Sequence, residues 1–290
     1  IYRYLFDGLM VLHGVNPYSA APDTARLFTP ALVDLLPLVN HSHLVTLYPP
    51  VAQFVFGAGA ALGILIGPLV GMKLVLSAMD MGSCILLIVL LKELGLPISR
   101  VALYAWNPLP ILEIAGSGHV DGAAVFFVLG ALILAIQPGK GFFSGVFMAL
   151  AVLTKWVPLM FVPFWLLLLL GKTRAMALGT FSASGCLMAA LFWPDLTNGM
   201  TTLGQYLRHW EFSGLLFRAF RNLTGSGEMA RIWLMVLFAS TSGVLLLKHF
   251  CRPRNSEFTF ACMATLGGAY LILSPTVYPW YALYLAAFLP

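Results

Sequence analysis

Charged side chains are scarce in this sequence, and several of them fall in aromatic, turn-rich stretches. "IYRYLFDG" places Asp7 one helical turn after Arg3. "GSGHVDG" holds His119 and Asp121 with Glu113 about two turns earlier, and Lys155 interrupts two apolar runs in "LTKWVP". "YLRHWEFSGLLFRAFRN" supplies Arg208, His209, Arg218 and Arg221, with Arg231 just beyond it, and "SPTVYPWY" supplies Tyr278, Trp280 and Tyr281. Carboxylates set against lysine and arginine are the minimum needed to take a proton from one group while holding the phosphate of another. Each stretch also has a plainer reading. Arg3 and Asp7 suit a local i,i+4 ion pair, and His119 and Asp121 suit a tight turn and helix cap between Gly118 and Gly122. Lys155 suits a side chain that snorkels to an interface. The arginines suit an amphipathic surface helix on anionic lipid, and Trp280 and Tyr281 an aromatic interface belt. The residues alone admit both sets of readings. No glycine-rich phosphate loop or Ser/His/Asp arrangement is present.

Positioning such residues falls to a chain that is 60% hydrophobic and 9% charged, with a mean hydropathy of +0.90. Soluble chains carry about 25% charge, so the composition predicts an integral membrane protein of the all-α class, a polytopic transmembrane helical bundle. Apolar runs at 70–91, 101–117, 120–136, 176–193, 230–248, 258–274 and 278–290 predict helices that cross a hydrocarbon layer about 30 Å thick. The stretch 142–170 is too long for one crossing and short for two. It is predicted to form two short helices meeting near Lys155, at a depth where lysine costs about 2.5–3.5 kcal/mol to insert.

The connections "KELGLPISR", "QPGKG", "GKTR" and "KHFCRPRNSE" hold eight Lys or Arg. The positive-inside rule assigns them to the cytoplasm. Parity then makes 51–69 an outer interfacial or re-entrant segment. It also puts 1–48, "GSGHVDG", 194–229 and "SPTVYPWY" together on the outer face. The opening is expected to be an interfacial helix ending at Gly14, a turn cluster, and a second short helix from Thr24 to Leu36. The whole forms one domain, 1–290, with a first outer loop at 1–69 and a second at 194–229. The start at Ile1 and the stop at Pro290 inside an apolar run suggest a segment of a longer protein. A net charge of +5 spread over membrane connections gives no support to a nucleic-acid partner. Cys84, Cys186, Cys251 and Cys262 lack C-x-x-C or Cys/His spacing, which argues against zinc and structural disulfides.

The ordered set "YRYLFDG…GVNPY", "LYPP", "NPLPILEIAGSGHVDG", "LTKWVPLMFVPF" and "YPWYALYLAAFLP" resembles the GT-C superfamily of multi-pass glycosyltransferases that use polyprenyl-phosphate sugars. The likeness covers nearly the whole chain and is to the mannosyltransferase branches, both the bacterial polyprenyl-phosphomannose-dependent enzymes and the first mannosyltransferase of GPI-anchor assembly. It implies transfer of a sugar, mannose, from a polyprenyl-phosphate donor to a lipid-linked or glycan acceptor. The reaction face is the outer side of a bacterial plasma membrane, or the lumenal side of the ER membrane in a eukaryote. In that family an aspartate of the first outer loop is the catalytic base and in some members helps bind a divalent metal. Asp7 matches a second acidic position of that loop, which makes it a secondary acid and a candidate ligand for Mg or Mn. The resemblance implies that the principal aspartate lies just before Ile1. Arg3, His119, Asp121, Lys155, Arg208, His209, Arg218, Arg221, Tyr278 and Trp280 are expected around the substrates, with Lys155 and the 208–221 arginines near the lipid phosphate. Two rivals stand beside this reading: a secondary transporter, and a non-catalytic subunit that binds membrane lipid.

Overall fold

A computed structural model describes residues 1–26, 28–251 and 255–290, and among them every long element is a helix. Helix α1 (Tyr2–Leu12) leads into a turn region and the short α2 (Pro30–Leu35), which Thr29 caps through Leu32 N and Pro30 starts. With a 3-10 turn at Leu36–Leu38, α2 is much shorter than the expected 24–36 helix, because proline at the first helical position sets a hard start. Helices α3 (Pro50–Ile66) and α4 (Pro68–Glu93) form a hairpin that reverses at Gly67, φ +98°. A Cβ on Gly71 would collide with the Gly63 backbone, so the two helices touch main chain to main chain. The segment expected at the outer interface is thus a 17-residue helix folded back on α4. At about 25 Å it falls short of the hydrocarbon thickness.

The predicted span 101–117 is not one helix. It runs through a 3-10 turn (Ile98–Val101), α5 (Ala102–Ala105), α6 (Pro108–Pro110) and a π-helical turn (Ile111–Gly116). Pro108 and Pro110 withhold backbone donors there, and Asn107 caps the restart through Leu109 N. Next come α7 (Asp121–Ile136), α8 (Gly141–Thr154), a 3-10 turn (Val157–Phe161) and α9 (Val162–Leu168). Two short helices therefore meet at Lys155, as the length of 142–170 requires. Then follow α10 (Gly171–Leu191), α11 (Leu196–His209), α12 (Leu215–Thr224), α13 (Gly227–Phe250) and α14 (Ser256–Leu273). The run 278–290 is a 3-10 turn (Pro279–Ala282) and α15 (Leu283–Ala286) rather than one long helix.

Side-chain contacts fix the direction of travel. Lys73 Nζ donates to Gly116 O, Tyr104 to Asp80 at 2.7 Å and Gln137 to Glu93 at 3.0 Å. Segment 98–116 is therefore antiparallel to α4, and α7 is parallel to it. Ser144 to Ala131 O (2.8 Å) turns α8 back along α7, Trp165 to Ser144 (2.8 Å) turns α9 back along α8, and His249 and Thr259 (2.9 Å) join α13 to α14. Connections 94–100, 137–140 and 169–173 consequently share one end with Lys248, so six of the eight expected basic residues lie together. Arg252 and Arg254 lie outside the described residues. The opposite end gathers 1–49, 117–120, 155–157, 192–226 and 274–282, knitted by Trp156 to Leu47 O (3.4 Å), Asn16 to Asp195 (3.0 Å) and Thr276 to Trp210 O (2.9 Å).

Among the described residues four helices, α4, α10, α13 and α14, are long and apolar enough to cross a membrane. Of these, α10 buries only Ala177 and α13 only Ala230, Leu234 and His249. Apolar helices left so bare are suited to contact with lipid.

Candidate functional site

Helix α8 stops at Thr154, and Lys155 leaves it in an extended conformation (φ −151°, ψ 144°), which swings the side chain inward. Its Nζ lies 3.1 Å from Asp121 Oδ2, so the lysine is paired rather than snorkelling. Asp121 is the first residue of α7 and has no exposed surface; a carboxylate there also meets the positive end of the helix. Its second oxygen accepts the Tyr284 hydroxyl at 3.1 Å. The ammonium faces the rings of Tyr48 and Tyr281 at 5.2 and 5.7 Å, cation–π contacts that keep it in place without another charge. The Tyr281 hydroxyl is 2.7 Å from that of Tyr206, and Tyr48 donates to Tyr4 at 3.3 Å. One cation is thus enclosed by one carboxylate and a shell of tyrosines drawn from α1, the 44–49 segment, α11 and the 279–286 stretch.

Beside this pair, His119 stacks on Trp280 at 3.6 Å, Trp280 on Tyr278 at 4.5 Å, and Tyr278 on Phe212 at 4.5 Å. This row of rings locks 117–120, 210–213 and 278–280 together. Burial, and next the charge of Lys155, push His119 down to about 3, so the imidazole is neutral near pH 7. Its 3.4 Å approach to Glu113 is then not an ion pair.

Arg3 and Asp7 form the local pair, Nε to Oδ1 at 2.9 Å, and Arg3 also donates to Leu44 O at 2.8 Å. Asp7 is 1% exposed, and burial raises its carboxyl above the ordinary range against the opposing pull of Arg3. Asp7 Oδ2, Gln53 Oε1 and Arg3 Nη2 are buried with no hydrogen-bond partner. A divalent ion does not fit here. The Arg3 guanidinium takes one oxygen of the Asp7 carboxylate and sets a positive charge beside the other, and no group of three His, Cys, Asp or Glu able to hold a metal occurs among the described residues.

The structure brings His119, Asp121, Lys155, Tyr278 and Trp280 together, with Arg3 and Asp7 one layer away through α1. The arginine-rich stretch reaches this site through Tyr206, while its arginines make their contacts elsewhere. Arg221 and Arg231 share Glu211, with Arg231 also donating to Trp210 O. Arg208, His209 and Arg218 are exposed, and no hydrogen bond or ion pair joins them to the Lys155 pair. Sequence reasoning missed Tyr48, Tyr206 and Tyr284 as parts of the site and put Tyr281 in an interface belt. The available signal was tyrosine, with a polar tip able to meet a buried charge, recurring in "LYPP" and "YPWYALYL". No family model, curated protein or solved structure matches the chain.

Proposed function

We propose that this protein is a glycosyltransferase of the GT-C type, moving mannose from a polyprenyl-phosphate donor to a lipid-linked or glycan acceptor at the outer or lumenal face of a membrane. The observation that carries the reading is Lys155: a mostly buried ammonium at a break between helices, at the end of the bundle where the aromatic loops converge. Such a cation meets the lipid phosphate. Apolar helices that expose most of their surface suit the polyprenyl tail. The anomeric carbon breaks from the phosphate oxygen, which keeps the electron pair, and the acceptor oxygen bonds the carbon and gives its proton to a carboxylate, the aspartate base that the resemblance implies. Preorganised positive charge at the departing phosphate lowers this barrier. Asp7 serves as a secondary acid held in place by Arg3. The six basic residues at the opposite end face the cytoplasm under the positive-inside rule. A photoreactive polyprenyl phosphate tests the reading: it cross-links to the segments around Lys155 and is displaced by unlabelled lipid phosphate. Labelling confined to the end that carries Lys92 and Lys140 refutes it.

A secondary transporter is the second reading, favoured by the same charge pair at a helix break. Solute counterflow in proteoliposomes without sugar transfer is its signature.

A further inference from the structure

Protein groups alone do not complete the polar contact between α1 and α3. Arg3 gives Nε to Asp7 Oδ1 and Nη1 to Leu44 O, while the Gln53 amide donates to Thr46 Oγ1 at 3.3 Å and Tyr48 O at 3.2 Å. That leaves one donor, Arg3 Nη2, and two acceptors, Asp7 Oδ2 and Gln53 Oε1, buried without a partner. Asp7 and Gln53 are both buried residues. The three atoms belong to one cluster. Nη2 sits on the guanidinium that already grips Asp7, and Gln53 stands close enough to the Asp7 carboxyl to favour its charged form.

A stranded buried donor or acceptor costs about 1–3 kcal/mol, so the cluster calls for a group that accepts once and donates twice. Rearrangement within the protein does not supply it. A proton on Asp7 Oδ2 could reach Gln53 Oε1, but it would remove the charge that balances Arg3 and leave Nη2 alone. Turning the Gln53 amide over would set its oxygen against the Tyr48 carbonyl, 3.2 Å away, and Nη2 would still be alone. A cation is repelled by the guanidinium, and a substrate hydroxyl does not reach atoms so enclosed. Water has an oxygen that accepts and two protons to donate, and internal waters typically make about three hydrogen bonds to such groups. We propose that one internal water molecule is a fixed part of this site, accepting from Arg3 Nη2 and donating to Asp7 Oδ2 and Gln53 Oε1. It pegs α1 to α3 at the polar part of a contact whose apolar part is Tyr4 stacked on Phe56 at 4.3 Å. It also supports Asp7 as an anion against the opposing effect of burial. The proposal is independent of the glycosyltransferase reading.

The test is a structure of the full-length protein in lipid nanodiscs, at a resolution that shows ordered water, together with infrared spectra of wild type and Asp7→Asn at neutral pH. The expected result is a density peak at hydrogen-bonding distance, about 2.7–3.2 Å, from all three atoms, and no protonated-carboxyl band that Asp7→Asn removes. Absence of the peak, or a peak that misses any of the three atoms, overturns the proposal even if Asp7→Asn fails to fold. So does a direct bond from Asp7 Oδ2 to the side chain of Gln53 or Arg3. A protonated-carboxyl band lost in folded Asp7→Asn overturns it as well, because a neutral Asp7 donates to Gln53 in place of the water.

Discussion

Replacing Lys155 with Met removes the ammonium and keeps most of the side-chain volume. For an unpaired lysine this change would recover an insertion cost of about 2.5–3.5 kcal/mol. The structure reverses that expectation, because Asp121 lies 3.1 Å away with no exposed surface and keeps its charge when the lysine goes. Breaking a buried pair from one side costs about 3–5 kcal/mol. Lys155→Met is thus strongly destabilised, whereas Lys155→Met/Asp121→Asn leaves no stranded charge and returns to within about 1 kcal/mol of wild type. Both variants lose lipid-phosphate binding. Denaturant unfolding in one detergent, followed by tryptophan fluorescence, supplies the stabilities, and lipid binding is measured on the same samples. A single variant as stable as wild type, or a double variant no better than the single, refutes the buried pair. Full lipid affinity in the double variant refutes the role of Lys155.

Asp7→Asn strands the Arg3 guanidinium and costs about 2 kcal/mol, the scale of a hydrogen bond to a charged group. If Asp7 acts as a secondary acid, sugar transfer falls by about 10²–10⁴-fold in protein that is still folded. Near-wild-type transfer leaves Asp7 with the structural role alone. His119, held at about 3 in the fold, has an ordinary value near 6.5 when unfolded. Its contribution to stability is complete above about pH 6.5 and is lost as pH falls toward 3. His119→Phe keeps the stack on Trp280 and flattens the melting temperature between pH 6.5 and 4; an unchanged acid slope contradicts the assignment. Gly71→Ala drives a Cβ into the Gly63 backbone and destabilises by about 1–3 kcal/mol, whereas the same change at Gly268, which has open space around it, lowers the melting temperature far less.

Much of the scaffold was legible because long apolar runs have few alternatives. The α4, α10, α13 and α14 elements follow directly from hydropathy, and the break at Lys155 follows from a run of awkward length. Elements controlled by proline were harder to read. Hydropathy sees 101–117 as one span, but Pro108 and Pro110 divide it, and Pro30 shortens the helix expected from Thr24. The fold-back of 50–66 onto α4 depends on Gly63 and Gly71 meeting across a hairpin, a contact that periodicity along one helix does not encode. At the site, the residue types were visible but their partners were not. Lys155 looked unpaired because Asp121 is 34 positions away, and the arginines looked free because Glu211 was counted as part of a basic stretch. Tyr284 reaches Asp121 across 163 positions. Only the antiparallel order of α7 and α8 and the return of the chain after α14 bring those groups into contact.

The most direct test of the account is sugar transfer itself. Full-length protein in proteoliposomes, given polyprenyl-phosphate mannose labelled in the sugar and a lipid extract as acceptor, should release polyprenyl phosphate and move the label to a new product, and Lys155→Met/Asp121→Asn should do neither. Intact donor after prolonged incubation with folded wild-type protein, across acceptor extracts and with or without added Mg or Mn, contradicts the account.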